Sequence, residues 1–513
     1  MIHTSPLPAL DIPDLSITEV AFRKAGELAD KAAIIDGPTG RTLTYRELDE
    51  ATRSLAGGLV ARGFGPGSVL ALMSPNIPEY AVIFHGVALT GGTITTINPT
   101  YTAGEVHHQL KDSGATILVT IEMFLPVAKE AAADAAVETI VVIGPELDGA
   151  ISILELMGEP LAEQVPVEPD TVVVLPYSSG TTGLAKGVML THRNLVSNVL
   201  QTIAGGDMGA DEVFIAVLPF FHIYGMQVLM NAALAAGATV VTMPRFDLEQ
   251  FLKLHQDHGV TRSFVAPPIV VALAKHPMVD DYDMTSVRQI FSGAAPLSAE
   301  LAIEAGERLG CEVVQGYGMT ETSPVTHLTP PGGFVPGSVG VTAPNTETRI
   351  VDPETGEDLG IDADGEVWVK GPQVMKGYLN NPEATAATVD SEGWIHTGDI
   401  GHIDANGHLF VVDRLKELIK YKGFQVPPAE LEALLLTHPA VADAAVIGRP
   451  DDDAGEVPIG FVVLKAGAQA SDDDIKAFVR ERVAHYKQLA EVTFLDEIPK
   501  SASGKILRRV LRG

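Results

Sequence analysis

The sequence predicts an α/β protein: a large N-terminal domain of sheets and helices followed by a small α+β unit. Three observations carry that reading. Short β-rich runs alternate with helical patterns along most of the 513 residues. Those runs are apolar throughout, as strands covered on both faces are. The last stretch of the chain has a pattern of its own, with two amphipathic helices around two strands.

The elements follow in order. Strands are expected at Ser68–Met73, Thr116–Thr120, Thr139–Ile143 and Ala238–Met243, and helices at Tyr45–Arg62, Glu79–Leu89 and Ser298–Leu309. Ile215 to Pro244 contains no Asp, Glu, Lys or Arg. Pro219, His222, Gln227, Asn231 and Gly237 interrupt it, so a buried helix followed by a buried strand is expected there, and not a membrane span. Near the C-terminus, Pro427-Pro428 opens a helix with Leu431, Leu434 and Leu435 on one face. Ser471 is placed to cap a second helix, whose acidic first turn suits the helix dipole. Its buried stripe is Ile475, Phe478, Val479 and Val483, and strands are expected at Ala444–Gly448 and Ile459–Leu464. The charged stretch DRLKELIKYKGF precedes this unit, which divides the chain into residues 1–415 and 416–513.

Composition narrows the partners. The formal charge is -31, from 66 acidic and 35 basic residues, which argues against nucleic acid or an anionic membrane as the main partner. A few local lysines can still hold a small anion on such a protein. The single cysteine, Cys311, excludes an intramolecular disulfide and fits a reducing compartment. With no signal-like N-terminus, a cytoplasmic location without integral membrane association is expected.

The chemistry concentrates in YSSGTTGLAKG, residues 177–187. Val172–Tyr177 reads as a strand, Lys186–Leu190 as the next, and the loop between them holds small, hydroxyl-bearing residues. Gly180 and Gly183 let backbone N–H groups turn inward. Ser178, Ser179, Thr181 and Thr182 add hydroxyls, and Lys186 adds charge. Such a nest suits phosphate oxygens. It is not a Walker A loop, because Ala185 precedes the lysine and Gly187 follows it.

Six further motifs follow: PFFHIYG (219–225), GAAPL (293–297), QGYGMTET (315–322), WIHTGDIG (394–401), DRLKELIKYKGFQV (413–426) and PKSASGKILRR (499–509). In this order the seven resemble the signatures of the adenylate-forming superfamily of acyl-CoA synthetases, luciferases and adenylation domains. The resemblance implies ATP and Mg2+ as cofactors and a C-terminal lid that rotates about Lys416. It also implies two half-reactions, in which a carboxylate attacks the α-phosphate of ATP and a thiol, usually that of CoA, then displaces AMP.

The same resemblance assigns roles. The hydroxyl-rich loop and Lys186 would hold the outer phosphates, and Thr320 and Glu321 would contact phosphate and Mg2+. Gln315, Gly316 and Tyr317 would flank the adenine, and Asp399 with Arg414 would clasp the ribose. Lys505 would approach the carboxylate and α-phosphate during adenylation. After rotation Lys420, Lys422, Gly423 and Gln425 would replace it. The sequence departs from the family where Ala185 and Ala502 stand in place of prolines, which is expected to loosen those loops.

For the acid, the resemblance places His222 at the carboxylate. Ile223, Tyr224, Val228, Phe291, Ala294, Pro324 and Val325 would line the acyl pocket, with Gly316 and Ala294 leaving a flat slot. No aspartate lies between Val213 and Met243 to hold an ammonium group, which disfavours an α-amino acid. The motifs are especially similar to those of 4-coumarate–CoA ligases, so cinnamate or 4-coumarate is the expected acid. A medium-chain fatty acid, or a luciferase-like oxygenase reaction, is the alternative. Arg245 and the Lys422-Gly423 pair would contact CoA.

Overall fold

In the computed structural model the described residues are 1–178, 185–422, 424–451, 454–501 and 504–512. Among them four sheets organise the chain.

The first sheet carries Ser178 and Lys186, which flank the hydroxyl-rich segment, near one margin. It runs Gly377–Tyr378, Lys186–Thr191, Val172–Ser178, Thr93–Thr96, Val69–Met73, Ile117–Thr120, Thr139–Val142 and Ile151–Ser152. The second runs Val341–Thr342, Val325–Leu328, Glu312–Gly318, Gln289–Ser292, Arg262–Val265, Val213–Ala216, Thr239–Thr242, Ala32–Asp36 and Thr42–Thr44. Most inner strands of both are parallel and largely buried, which explains apolar runs such as Val69–Met73 and Thr139–Val142. Helices Tyr45–Ala61, Pro78–Leu89 and His192–Gly206 contribute to the core that joins these sheets. Pro78–Leu89 is apolar on every side and is buried on nearly every side, as that composition requires.

The charge-free stretch departs from its expected form. It contains the strand Val213–Ala216, then a π-type helix over Gly225–Ala232 that tightens into an α-turn, then the strand Thr239–Thr242. The wider turn is anchored by polar side chains inside the core. Gln227 donates to the Leu195 carbonyl (3.0 Å), and Asn231 donates to Gln227 (2.6 Å). Helices of this kind occur mostly at functional sites, and this one begins just after Tyr224.

A third sheet joins Ile2–Thr4, Glu347–Val351, Gly365–Lys370, Ile395–Ile403 and Leu409–Arg414. Sheet membership changes immediately afterwards. Ile419–Tyr421 opens the C-terminal sheet with Phe424–Val426, Val441–Asp451, Gly455–Leu464 and Glu491–Phe494. Ser471 caps the helix Asp472–Arg480 reciprocally with Asp474, as its sequence suggests. Ile475 and Val479 are fully buried, while Phe478 and Val483 lie at the margin of the small core. No helix among the described residues is long and apolar enough to cross a membrane.

Candidate functional site

The second sheet positions the nucleotide side of the site. Strands Gln289–Ser292 and Glu312–Gly318 run parallel and deliver GAAPL and QGYG to one end. The buried Gln315 carboxamide accepts the backbone N–H of Leu297 (3.1 Å), so its side chain braces the GAAPL turn. Gly293 and Gly316 are needed for close approach. A Cβ at Gly293 would fall 2.8 Å from the Tyr224 ring, and one at Gly316 would fall 2.4 Å from that of Phe291.

Tyr317 donates from its hydroxyl to Asp399 (2.5 Å). Burial, then the Asp399 carboxylate, push its phenol well above the usual tyrosine range and keep it a donor. Asp399 and Arg414 sit opposite each other on neighbouring strands, with Nε 3.3 Å from the carboxylate. A buried acid is thus held between a hydroxyl and a guanidinium, a placement that fits recognition of vicinal sugar hydroxyls.

The phosphate side is built on the first sheet. Lys186 pairs with Ser178 across the hairpin, which puts both at the mouth of the loop. Ser179, Gly180, Thr181, Thr182 and Gly183 lie outside the described residues, as do Gly423 and Ala502. Lys186 Nζ stands 4.2 Å from the centre of the Tyr378 ring. Tyr378 in turn donates to the buried Glu321 carboxylate (2.9 Å), which lies in the single turn Thr320–Thr322. Tyr378 was not legible as a site residue. Only the pairing of Gly377–Tyr378 with Val188 and Met189 brings it there.

A lone buried carboxylate beside a phosphate loop fits Mg2+ held mainly through phosphate oxygens, with Glu321 as the protein ligand. Among the described residues there is no cluster of three or more acidic, His or Cys groups that would hold a metal without a nucleotide.

Lys505 enters this site from the C-terminal domain. The described residues beside it are tied together, with Ser501 N–H donating to the Lys505 carbonyl and Gly504 N–H to that of Ser501, both at 2.8 Å. A Cβ at Gly504 would lie 3.0 Å from that of Ala266, so Gly504 is seated against the larger domain. Burial, then Arg414, lower the Lys505 ammonium to about 8, against the pull of Asp399, Glu321 and Glu417. Nearby, His222 Nδ1 lies 3.3 Å from the Tyr224 backbone N–H, which places the imidazole proton on Nε2. Burial, then Lys505, lower His222 to about 4, so the ring is neutral at physiological pH.

Tyr224, Val228, Phe291 and Val325, four of the residues expected at the acyl pocket, together line one small cavity. Ile223 and Pro324 are buried beside it without lining it. The flat slot is a correction. Ala294 is exposed with a positive φ of 72°, and the space left by Gly316 is taken by the Phe291 ring. A small residue signals that room exists, not what fills it. Phe264, Leu328, Arg262 and Gln289 also line the cavity and were missed, because strand register alone brings them together.

The remaining residues lie elsewhere in this conformation. Lys420 and Gln425 face each other in the hairpin of Ile419–Tyr421 with Phe424–Val426, both exposed, and Lys422 at its turn has φ 47°. Lys416 is exposed between the two sheets, and Arg245 is exposed after the strand Thr239–Thr242.

Comparison with known proteins agrees with this geometry. Residues 21–379 match the AMP-binding enzyme family, and residues 430–505 match the C-terminal domain of AMP-binding enzymes. The chain is 45% identical over 524 residues to 4-coumarate–CoA ligase 3 of Oryza sativa subsp. japonica, covering all of this chain and 94% of that protein. ATP-bound MatB of Rhodopseudomonas palustris is 31% identical and covers 98% of each chain with a TM-score of 0.89. The anthranilate CoA ligase AuaEII, in complex with anthranoyl-AMP, is 26% identical with a TM-score of 0.91 over 98% of this chain and 97% of that one. The chain belongs to the AMP-binding enzyme family.

Proposed function

We propose that the protein is an AMP-forming carboxylate–CoA ligase whose acid is cinnamate or 4-coumarate, with ATP, Mg2+ and CoA as the other participants. The observation that carries this reading is Lys505, seated from the C-terminal domain among Glu321, Asp399 and Arg414. An ammonium there faces both the α-phosphate and the acid carboxylate, and neutralises charge where it concentrates during attack. A carboxylate oxygen bonds to the α-phosphorus as the bond to pyrophosphate breaks, giving acyl-adenylate.

Lys186 and the hydroxyls of the loop stabilise the departing pyrophosphate, while Tyr317, Asp399 and Arg414 hold the nucleoside. Mg2+, when held by Glu321, supplies charge on the outer phosphates. Rotation about Lys416 then withdraws Lys505 and brings in Lys420, Lys422, Gly423 and Gln425, with Arg245 toward the CoA nucleotide. The thiolate attacks the acyl carbon and AMP leaves. The full-length similarity to a 4-coumarate–CoA ligase and the aromatic lining of the cavity support the acid.

The test is mass spectrometry of products from ATP, Mg2+ and cinnamate, 4-coumarate, octanoate or phenylalanine, with and without CoA. The expected result is CoA-dependent cinnamoyl-CoA or 4-coumaroyl-CoA together with AMP. Octanoyl-CoA alone would overturn the acid, and adenylate that persists with CoA present would overturn the acceptor.

A further inference from the structure

The acyl cavity has a polar floor. Its upper wall is apolar, formed by Tyr224, Val228, Phe291 and Val325. Phe264 and Phe291, on adjacent parallel strands, bring their rings to 5.4 Å of each other. Two positions earlier on the same strands stand Arg262 and Gln289, which are paired in register. Residues two apart share a face, so Arg262 and Gln289 lie beneath the two rings, about 7 Å deeper along the strands. Both line the cavity, and both are more than nine-tenths buried.

Their hydrogen bonding differs. Arg262 is committed to its surroundings. Its Nη1 donates to the Gly206 carbonyl (2.5 Å), its Nη2 to that of Asp207 (3.4 Å), and its Nε lies 3.0 Å from buried Glu212. The Gln289 carboxamide, only 5% exposed, has no hydrogen-bond partner among the described residues. The hydroxyl of Thr202, also lining the cavity, has none either. A largely buried carboxamide without a protein partner calls for one from elsewhere, and this one opens onto the small cavity.

We infer that Gln289, with Thr202, is a specificity-determining residue that binds a polar group at the end of the acyl chain remote from its carboxylate. Within the ligase reading on which this rests, the acid is the one that carries a 4-hydroxyl on its ring. A hydroxyl there gives Gln289 an acceptor and a donor together, whereas an unsubstituted ring or an alkyl end leaves the carboxamide unpaired.

The experiment compares kcat/KM for 4-coumarate and cinnamate, which differ only in that hydroxyl, in the full chain and in Gln289→Leu and Gln289→Met. Thermal unfolding establishes which variants are folded, and Gln289→Met keeps an unbranched side chain should leucine fail to fold. The parent protein is expected to favour 4-coumarate by about 10- to 100-fold, and the variants to lose at least about tenfold of that ratio. A merely structural role would lower both acids alike and leave the ratio in place, which overturns the inference. Equal use of both acids by the parent protein also overturns it, with the ligase reading intact. No thioester from either acid overturns the ligase reading itself.

Discussion

Two parts of the C-terminal domain stand in opposite relation to the site. Gly504 packs against Ala266, and the neighbouring Lys505 feels the charges of Arg414, Asp399 and Glu321. The hairpin of Ile419–Tyr421 with Phe424–Val426 holds Lys420, Lys422 and Gln425 in solvent. Phe424, 54% exposed, is stacked on Tyr486 at 4.5 Å. Both segments carry lysines, yet only Lys505 is desolvated, and burial, then Arg414, lower its ammonium to about 8. The difference fits the proposal that one domain carries two sets of catalytic groups and presents them one at a time.

The sharpest way to break this comparison is Lys505→Ala. Adenylation, followed as pyrophosphate release, should fall about 10²- to 10³-fold, because removing a charge that stabilises the transition state costs that much. Thioester formation from supplied acyl-adenylate should change little. Equal losses in both half-reactions would mean that the two faces do not divide the work. Lys420→Ala should invert the pattern with a smaller effect, about tenfold on the thioester step measured by acyl-CoA formation, and little on pyrophosphate release.

Acidity sharpens the same contrast. With Lys505 at about 8, its charged form predominates below that pH and is lost above it, so adenylation should decline as pH rises through 8. Lys505→Arg should move that decline beyond the measurable range, since guanidinium stays charged. On the acid side, His222 at about 4 is already neutral by pH 5, so it should contribute no pH dependence between 5 and 8. A limb in that range that vanishes in His222→Gln would contradict this.

The smallest effect concerns Tyr378. Tyr378→Phe keeps the ring beneath Lys186 but removes the hydroxyl bonded to Glu321. ATP binding by titration calorimetry should weaken by about fivefold, less than the full value of a hydrogen bond to a charged group, because the hydroxyl positions Glu321 and does not itself touch the nucleotide. No weakening would mean that Glu321 needs no such anchor.

Much of this was legible from sequence because it depends on local chemistry. Pro428 starting a helix, Ser471 capping one, and the strand–loop–strand around Lys186 each follow from neighbours in the chain. The ordered motifs located Lys505, Asp399, Arg414 and Glu321. What escaped depends on register between distant strands. Tyr378 reaches Lys186 only because Gly377–Tyr378 adds to the margin of a sheet begun about 300 residues earlier. Gln289 lies beside Arg262 only through parallel pairing. The π-type turn over Gly225–Ala232 was invisible because its two polar residues, Gln227 and Asn231, stand four apart in an otherwise apolar segment, a spacing that does not distinguish one helical pitch from another.

The strand carrying Arg414 ends there, and the C-terminal sheet begins at Ile419, so Asp399, Arg414 and Tyr317 all lie on the N-terminal side of the pivot proposed at Lys416. Under the proposed rotation, the residues proposed to grip the sugar do not have to part when the small domain swings. An activated mixed anhydride is hydrolysed if it drifts into water, and every molecule lost this way wastes an ATP. Placing the handle upstream of the pivot makes the enzyme a vice with a moving tool: the workpiece stays clamped while the instrument is changed.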